Sequence, residues 1–176
     1  MDIRIAEESD IDRMLEVYAD GRASLGALGI DQWQDGYPQR WRVEADVARR
    51  EARVACDDDG RIVGCIVAIF TGEPDYDAID GAWLTKGTSA DPGYVVIHRV
   101  ATAADALGRG VATALFDEVE REAREAGCES VRIDTHYGNS PMRSLVAKRG
   151  YAACGEVVMS CVGTMTPERI AYEKLL

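Results

Sequence analysis

The chain is 176 residues long, is 47% apolar and carries a formal net charge of -11. This length suits a single domain over residues 1–176, able to bury about two thirds of its unfolded surface without disulfide or metal staples. The acidic balance speaks against a nucleic-acid backbone or an anionic lipid surface as partner. It suits a cationic partner such as an amine, if it does more than keep the chain soluble.

Ile3 and Ile5 alternate with polar residues and predict a short first strand. Ser9 stands before a helical pattern of Ile11, Met14, Leu15, Tyr18 and Leu25, and is the expected cap. Gly26 to Pro38 reads as an ordered loop rich in glycine and aromatics. Pro38 is placed to open a second helix, with Trp41, Val43 or Val47 facing inward. Arg53-Val-Ala-Cys and Arg61-Ile-Val-Gly-Cys-Ile-Val-Ala-Ile-Phe flank Asp57-Asp-Asp-Gly, which predicts a hairpin turning at Asp59-Gly60. Thr71 to Gly93 is a long irregular excursion, a kind of loop that often serves function. Tyr94-Val-Val-Ile-His-Arg-Val-Ala is a nearly continuous apolar run and predicts a central strand.

Leu107-Gly-Arg-Gly-Val-Ala-Thr follows, then a helix with Ala112, Leu115, Phe116, Val119 and Ala123 as its apolar stripe and Gly127 as its stop. Ser130-Val-Arg-Ile-Asp-Thr-His predicts another strand. Asn139 caps a helix holding Met142, Leu145 and Val146 that stops at Gly150. Alternation around Val157 to Val162 and Ile170 to Leu175 predicts a closing antiparallel pair. The order describes one mixed α/β domain.

The cysteines are Cys56, Cys65, Cys128, Cys154 and Cys161. Their odd count, the lack of C-x-x-C spacing and their apolar surroundings point to buried thiols in a reducing cytosol, with no metal site. The N-terminus does not read as a secretory signal, and the apolar runs are too short to span a bilayer.

The strongest local feature is a strand, then Gly108-Arg109-Gly110, then a helix. A helix start leaves several backbone N–H groups without partners and adds partial positive charge. Glycine lets the backbone close on an anion. The pattern suits a pyrophosphate, with Arg109 as a further donor or as a solvent residue. Neither the Walker spacing nor the dinucleotide fingerprint is present.

At these residues the chain resembles the GNAT acyltransferase superfamily, whose signature is [QR]-x-x-G-x-[GA]. Leu107-Gly-Arg-Gly-Val-Ala fills it, with Leu107 in place of the usual Gln or Arg. Ile133-Asp-Thr-His, Asn139 and Lys148-Arg-Gly150-Tyr151 extend the resemblance over essentially the whole chain. It looks closest to a bacterial branch carrying Gln32-Trp-Gln-Asp-Gly-Tyr-Pro, Asp80-Gly-Ala-Trp-Leu and Val96-Ile-His-Arg.

The resemblance implies a mostly antiparallel twisted sheet with helices on both faces and a splayed parallel strand pair. It implies acetyl-CoA, leaving as coenzyme A, in the cleft between those strands. The binding residues would be Val100, Thr102, Leu107, Gly108, Arg109, Gly110, Val111, Ala112, Thr113 and Asn139. Asn139 also reads as a plain helix cap. Acetyl transfer to the amine of a small molecule or peptide needs a base. The family's customary Glu falls at Val96 and its customary Tyr at Leu145-Val146, so both are missing. His98 and His136 are the candidates to replace the base, an imidazole being suited to proton transfer near neutral pH. They also read as a core histidine and a loop histidine. Tyr137 and Cys154 are not assigned the role of acid.

Trp33, Tyr37, Trp41 and Trp83 either anchor the long loops or line an acceptor pocket, and Asp31, Asp35 and Asp80 are candidates to receive an ammonium group. Dimerisation is an expectation by analogy alone. The competing readings are a CoA-binding regulatory or sensor module that has lost turnover, and a mononucleotide-phosphate binder.

Overall fold

Two runs of β-branched residues fold back on each other at Asp57–Gly60, where the N–H of Gly60 donates to the Asp57 carbonyl (2.9 Å). They form β2 (Ala52–Cys56) and β3 (Ile62–Ile69), which are buried almost throughout. Such burial is what nearly unbroken apolar runs predict. The computed structural model describes residues 1–160 and 166–176. Cys161 and Val162 lie outside the described residues.

The remaining elements are β1 (Asp2–Ile5), α1 (Ile11–Ala27), α2 (Arg40–Ala48), β4 (Asp80–Gly81), β5 (Tyr94–Thr102), α3 (Val111–Glu125), β6 (Ser130–Thr135), α4 (Ser140–Lys148), β7 (Ala152–Val158) and β8 (Glu168–Leu175). The eight strands form one sheet in the order β1-β2-β3-β5-β6-β8-β7-β4. All neighbours are antiparallel except β5 and β6. Among the described residues, no helix is long and apolar enough to cross a membrane.

Helices cover both faces. Gly64 and Cys65 alternate along β3, so they face opposite ways. Val111 and Leu115 of α3 stand over Gly64. Gly21 of α1 stands over Ala101, which pairs with Cys65. The main core lies between these layers, and a smaller cluster of Tyr76, Tyr94, Val96, Val157, Met159 and Ala171 sits beneath the 71–93 excursion.

Three local expectations change. A short 3-10 turn at Glu8–Asp10 leads into α1, and Asp10 rather than Ser9 accepts the backbone N–H, from Glu7 (2.8 Å). Arg4 grips the same carboxylate at 2.6 and 2.9 Å. The second helix starts at Arg40, not Pro38, and Trp41 points outward, 59% exposed, while Val43 is buried. The 71–93 excursion is not wholly irregular. It holds a 3-10 turn at Pro74–Ala78 and pairs Gly81 with Gly155 on β7.

Gly64 sets the distance between α3 and the sheet. A Cβ there would lie 2.4 Å from Val111 Cγ1 and 3.1 Å from Leu115 Cδ1. Overpacking of this kind costs about 1–3 kcal/mol. Gly64→Ala is therefore expected to lower the melting temperature by several degrees and to displace the first turn of α3. Calorimetry and the amide NMR shifts of Gly110 to Ala114 check this.

Candidate functional site

β5 and β6 begin side by side and then part. Their parallel pairing covers Tyr94 to Ile97 against Ser130 to Ile133. Beyond Ile97, β5 continues on β3 and β6 continues on β8. The β3–β5 register skips Arg99 and Val100, since Val67 faces His98 and Cys65 faces Ala101. Such an extra residue is a bulge, which kinks the strand and raises its twist. Arg99 adopts the left-handed region at φ +50°, which costs a side-chain-bearing residue about 1–3 kcal/mol.

What holds Arg99 there is a buried ion pair. Its Nη2 donates to Asp46 Oδ1 (2.8 Å), its Nε stands 2.8 Å from Asp46 Oδ2, and its Nη1 donates to the Tyr37 hydroxyl (2.6 Å). Asp46 is only 1% exposed. Burial opposes the charge on Arg99, but the hydroxyl and carboxylate hold its pKa above the ordinary value. Through Arg99, α2 and the Gln32–Pro38 loop are tied to the bulge.

A cleft of about 350 Å³ opens where the strands part. Val100, Thr102, Leu107, Ala112 and Asn139 line it, and so does His98. Gly108, Arg109 and Gly110 form an exposed turn between Leu107 and Ala112, and neither they nor the exposed Thr113 are among the residues that line the cleft. The two glycines have φ of +74° and +80° with open space where a Cβ would be. Gly110 caps α3 without any side-chain bond, so the first-turn amides face outward unpaired by a cap. Val111 turns its side chain into the core, 2% exposed, so only its backbone faces the turn. The approach to the turn is held by Asp20, whose Oδ2 accepts from Ala104 N (2.9 Å). Asn139 Oδ1 accepts from Met142 N (3.2 Å), and its Nδ2 donates to Thr135 Oγ1 (3.1 Å). It is a helix cap that also borders the cleft.

His98 lies between two carboxylates. Its Nε2 is 3.0 Å from Glu73 Oε2, and its Nδ1 is 3.6 Å from Asp134 Oδ1, which also accepts from the Tyr76 hydroxyl (2.8 Å). Burial pushes the Glu73 carboxyl up most strongly, but the bond and charge of His98, the Asp75 amide and the Arg99 charge together outweigh it and hold Glu73 below its ordinary range. Glu73 and Asp134 both line the cleft. Neither was a sequence candidate. Glu73 belongs to the long excursion, and contact order alone brings it 25 residues back to His98. The sole sequence signal for it was the length of that loop.

His136 is not brought to this group. It is 4% exposed, does not border the cleft, and accepts from Gly138 N through Nδ1 (3.0 Å). Burial first, and then Arg169, lower its pKa. Val96 and Val146 are fully buried core residues. Among the aromatic candidates, Trp33 and Tyr37 line the cleft. Trp83 instead donates Nε1–H to the Tyr76 carbonyl (2.9 Å) and lies over the Arg132 guanidinium (4.4 Å), pinning the excursion. Asp35 accepts from Tyr37 N (3.2 Å), Asp31 accepts from Thr166 Oγ1 (2.7 Å), and Asp80 sits on β4. None of the three borders the cleft.

The sheet order, the single parted parallel pair and the glycine turn heading α3 define an acetyltransferase type of fold. Comparison with known proteins agrees. The family described as "Acetyltransferase (GNAT) family" matches residues 18–151. The solved structure of a GNAT-family acetyltransferase from Streptococcus agalactiae 2603 is 31% identical, with a TM-score of 0.87 over 99% of this chain and 95% of that one. A structure from Staphylococcus aureus Mu50 is 27% identical, with a TM-score of 0.70 over 98% and 97%. Ribosomal-protein-alanine N-acetyltransferase from Brucella melitensis shares the fold, at 18% identity, TM-score 0.71 and full coverage of both chains. No curated protein matches in sequence. The chain belongs to the GNAT acetyltransferase family.

Arg99→Met leaves Asp46 buried and unpaired, a loss of about 3–5 kcal/mol. Thermal unfolding is expected to show a large drop for Arg99→Met. The double variant Arg99→Met with Asp46→Leu should recover part of it, because it strands no charge.

Proposed function

We propose that the protein is an N-acetyltransferase that uses acetyl-CoA and transfers the acetyl group to a primary amine by direct attack in a ternary complex. The observation that carries this reading is the cleft between β5 and β6, walled by His98 and by Leu107 and Ala112, which flank the open glycine turn of α3. These residues fit the cofactor. Gly108 and Gly110 leave room for an anion against the backbone, and the cleft volume suits a narrow pantetheine arm. Acetyl-CoA would supply the acyl group, activated as a thioester.

The chain's own part is then binding, polarisation and proton removal. The amides of Gly108 to Thr113 hold the pyrophosphate, with Arg109 beside them. Leu107 forgoes the polar contact of the usual Gln or Arg and packs its exposed apolar side chain along the arm. Thr102 and Asn139 border the arm. The Val100 N–H, in the stretch skipped by the β3 register, would be the donor offered to the acyl carbonyl. The incoming amine is protonated in water and must lose a proton before it attacks. The His98–Glu73 pair receives that proton and fills the place of the customary Glu at Val96. His136 acts on the site indirectly, by holding Gly138 at the entry to α4.

Thermal unfolding with acetyl-CoA, CoA, NAD and ATP tests the cofactor. A ligand at 100 times its Kd adds about 2.7 kcal/mol, so acetyl-CoA and CoA alone should raise the melting temperature. No shift with either overturns the proposal. CoA binding with no amine able to stimulate CoASH release would favour a binding module instead. His98→Ala should lower kcat/KM by about 10²–10⁴-fold while keeping the CoA-induced shift, and His136→Ala should act mainly on stability.

Glu73 supplies a pH test. Its folded pKa lies below its unfolded one, so its stabilising contribution is present at neutral pH and is lost as pH falls through the lower value. Glu73→Gln should therefore show a smaller loss of melting temperature than wild type on acidification.

A further inference from the structure

The cleft contains a buried cation that the reading above leaves unused. Arg169 opens β8, lines the cleft and is only 2% exposed. Its Nη1 donates to the backbone carbonyls of Thr166 and Glu168. Its Nη2 is buried and has no hydrogen-bond partner among the described residues. Asp134, Asp31 and Glu168 act on it through space, and none forms an ion pair with it among the described residues. Guanidinium stays charged, and a buried charged donor is ordinarily satisfied. Of the other arginines of the cleft, Arg49 is exposed, and Arg42 also has a buried Nε without a hydrogen-bond partner among the described residues, but on a side chain that is not fully buried. Arg99 is held by Asp46 and Tyr37, and Arg42 is half-buried, 4.8 Å from the Trp41 ring.

A second buried group points the same way. Gln32 lines the same cleft, and its buried Oε1 has no partner among the described residues, so the cleft also offers an unused acceptor to an ammonium group. The same cleft presents Glu73, His98 and Asp134, which suit an amine. A cationic donor and an anionic, basic wall in one cleft match a zwitterion.

We infer that the acceptor is a small amine that also carries a carboxylate, such as a free amino acid, and that Arg169 Nη2 donates a charge-assisted hydrogen bond to that carboxylate. Arg169 thereby selects the acceptor and sets its amine toward His98 and Glu73. This rests on the acetyltransferase reading and sharpens it.

The test compares α-amino acids with their C-terminal amides as acceptors in the wild-type enzyme. The amide keeps the amine and loses the negative charge. Acids are expected to exceed amides by about 10- to 100-fold in kcat/KM, the scale of one hydrogen bond to a charged group. Arg169→Met should remove most of this preference through KM, and Arg169→Lys should restore part of it. The CoA-induced melting shift reports whether each variant folds and keeps its cofactor site. Equal rates for acids and amides in wild type overturn the inference without recourse to any variant. So does turnover confined to amines without a carboxylate, which would leave the acetyltransferase reading standing. If CoA binds and nothing is acetylated, titration calorimetry of the amino acids and amides into the CoA complex decides. Binding that does not depend on the carboxylate overturns the inference.

Discussion

Everything at the site depends on β5 leaving its parallel neighbour. A paired sheet would fill the space between β5 and β6 with ladder hydrogen bonds and leave no cleft. The bulge at Arg99 prevents that, and it is a strained one, with a side-chain-bearing residue at positive φ. The strain persists because the Arg99–Asp46 pair and the Tyr37 hydroxyl over-determine the guanidinium from two other elements. One arginine therefore links the geometry of the strand to α2 and to the loop before it. The cleft is not a gap left by poor packing. It is kept open by buried electrostatics.

A second buried ion pair, between β6 and β8, performs a related task. Arg132 Nε donates to Glu173 Oε1 (2.9 Å), and both side chains are fully buried. Glu173 also accepts from Ser130, Thr85 and the Leu84 backbone, while Tyr94 and Trp83 sandwich the guanidinium. Burial raises the Glu173 carboxyl, and these donors outweigh it. Every lone pair is served, which is the condition under which a buried carboxylate is tolerated. The result is that the 71–93 excursion is docked rather than loose. That docking brings Glu73 to His98.

The chain as a whole is strongly acidic, yet its cleft gathers Arg42, Arg49, Arg99 and Arg169 beside Glu73 and Asp134. Net charge describes the outer surface and its solubility. The cleft follows a different pattern, with arginines and carboxylates brought together in one lining.

Strands β2, β3 and β5, helix α3 and the glycine turn were legible in the sequence, because each is specified by neighbours a few residues apart. Apolar periodicity, Asp59-Gly60, and Gly108 with Gly110 are local signals that no tertiary contact needed to override. The motif resemblance carried the sheet type and the parted pair with them. Other features were not legible in that way. Trp41 faces outward because it stands about 200° around the helix from Val43, which is the residue that turns into the core. His98 and His136 were both candidates for the base, yet His98 lines the cleft while His136 is buried and does not border it. Glu73 was marked only by the length of its loop, and Asp134 and Arg169 by nothing local, since it is the packing of distant segments that brings the three into one cleft. The elements and the glycine turn follow from the sequence alone, because they rest on short-range backbone preference. Tertiary structure alone decided which charges meet in the cleft, because burial and ion pairing depend on long-range contacts that no local pattern encodes.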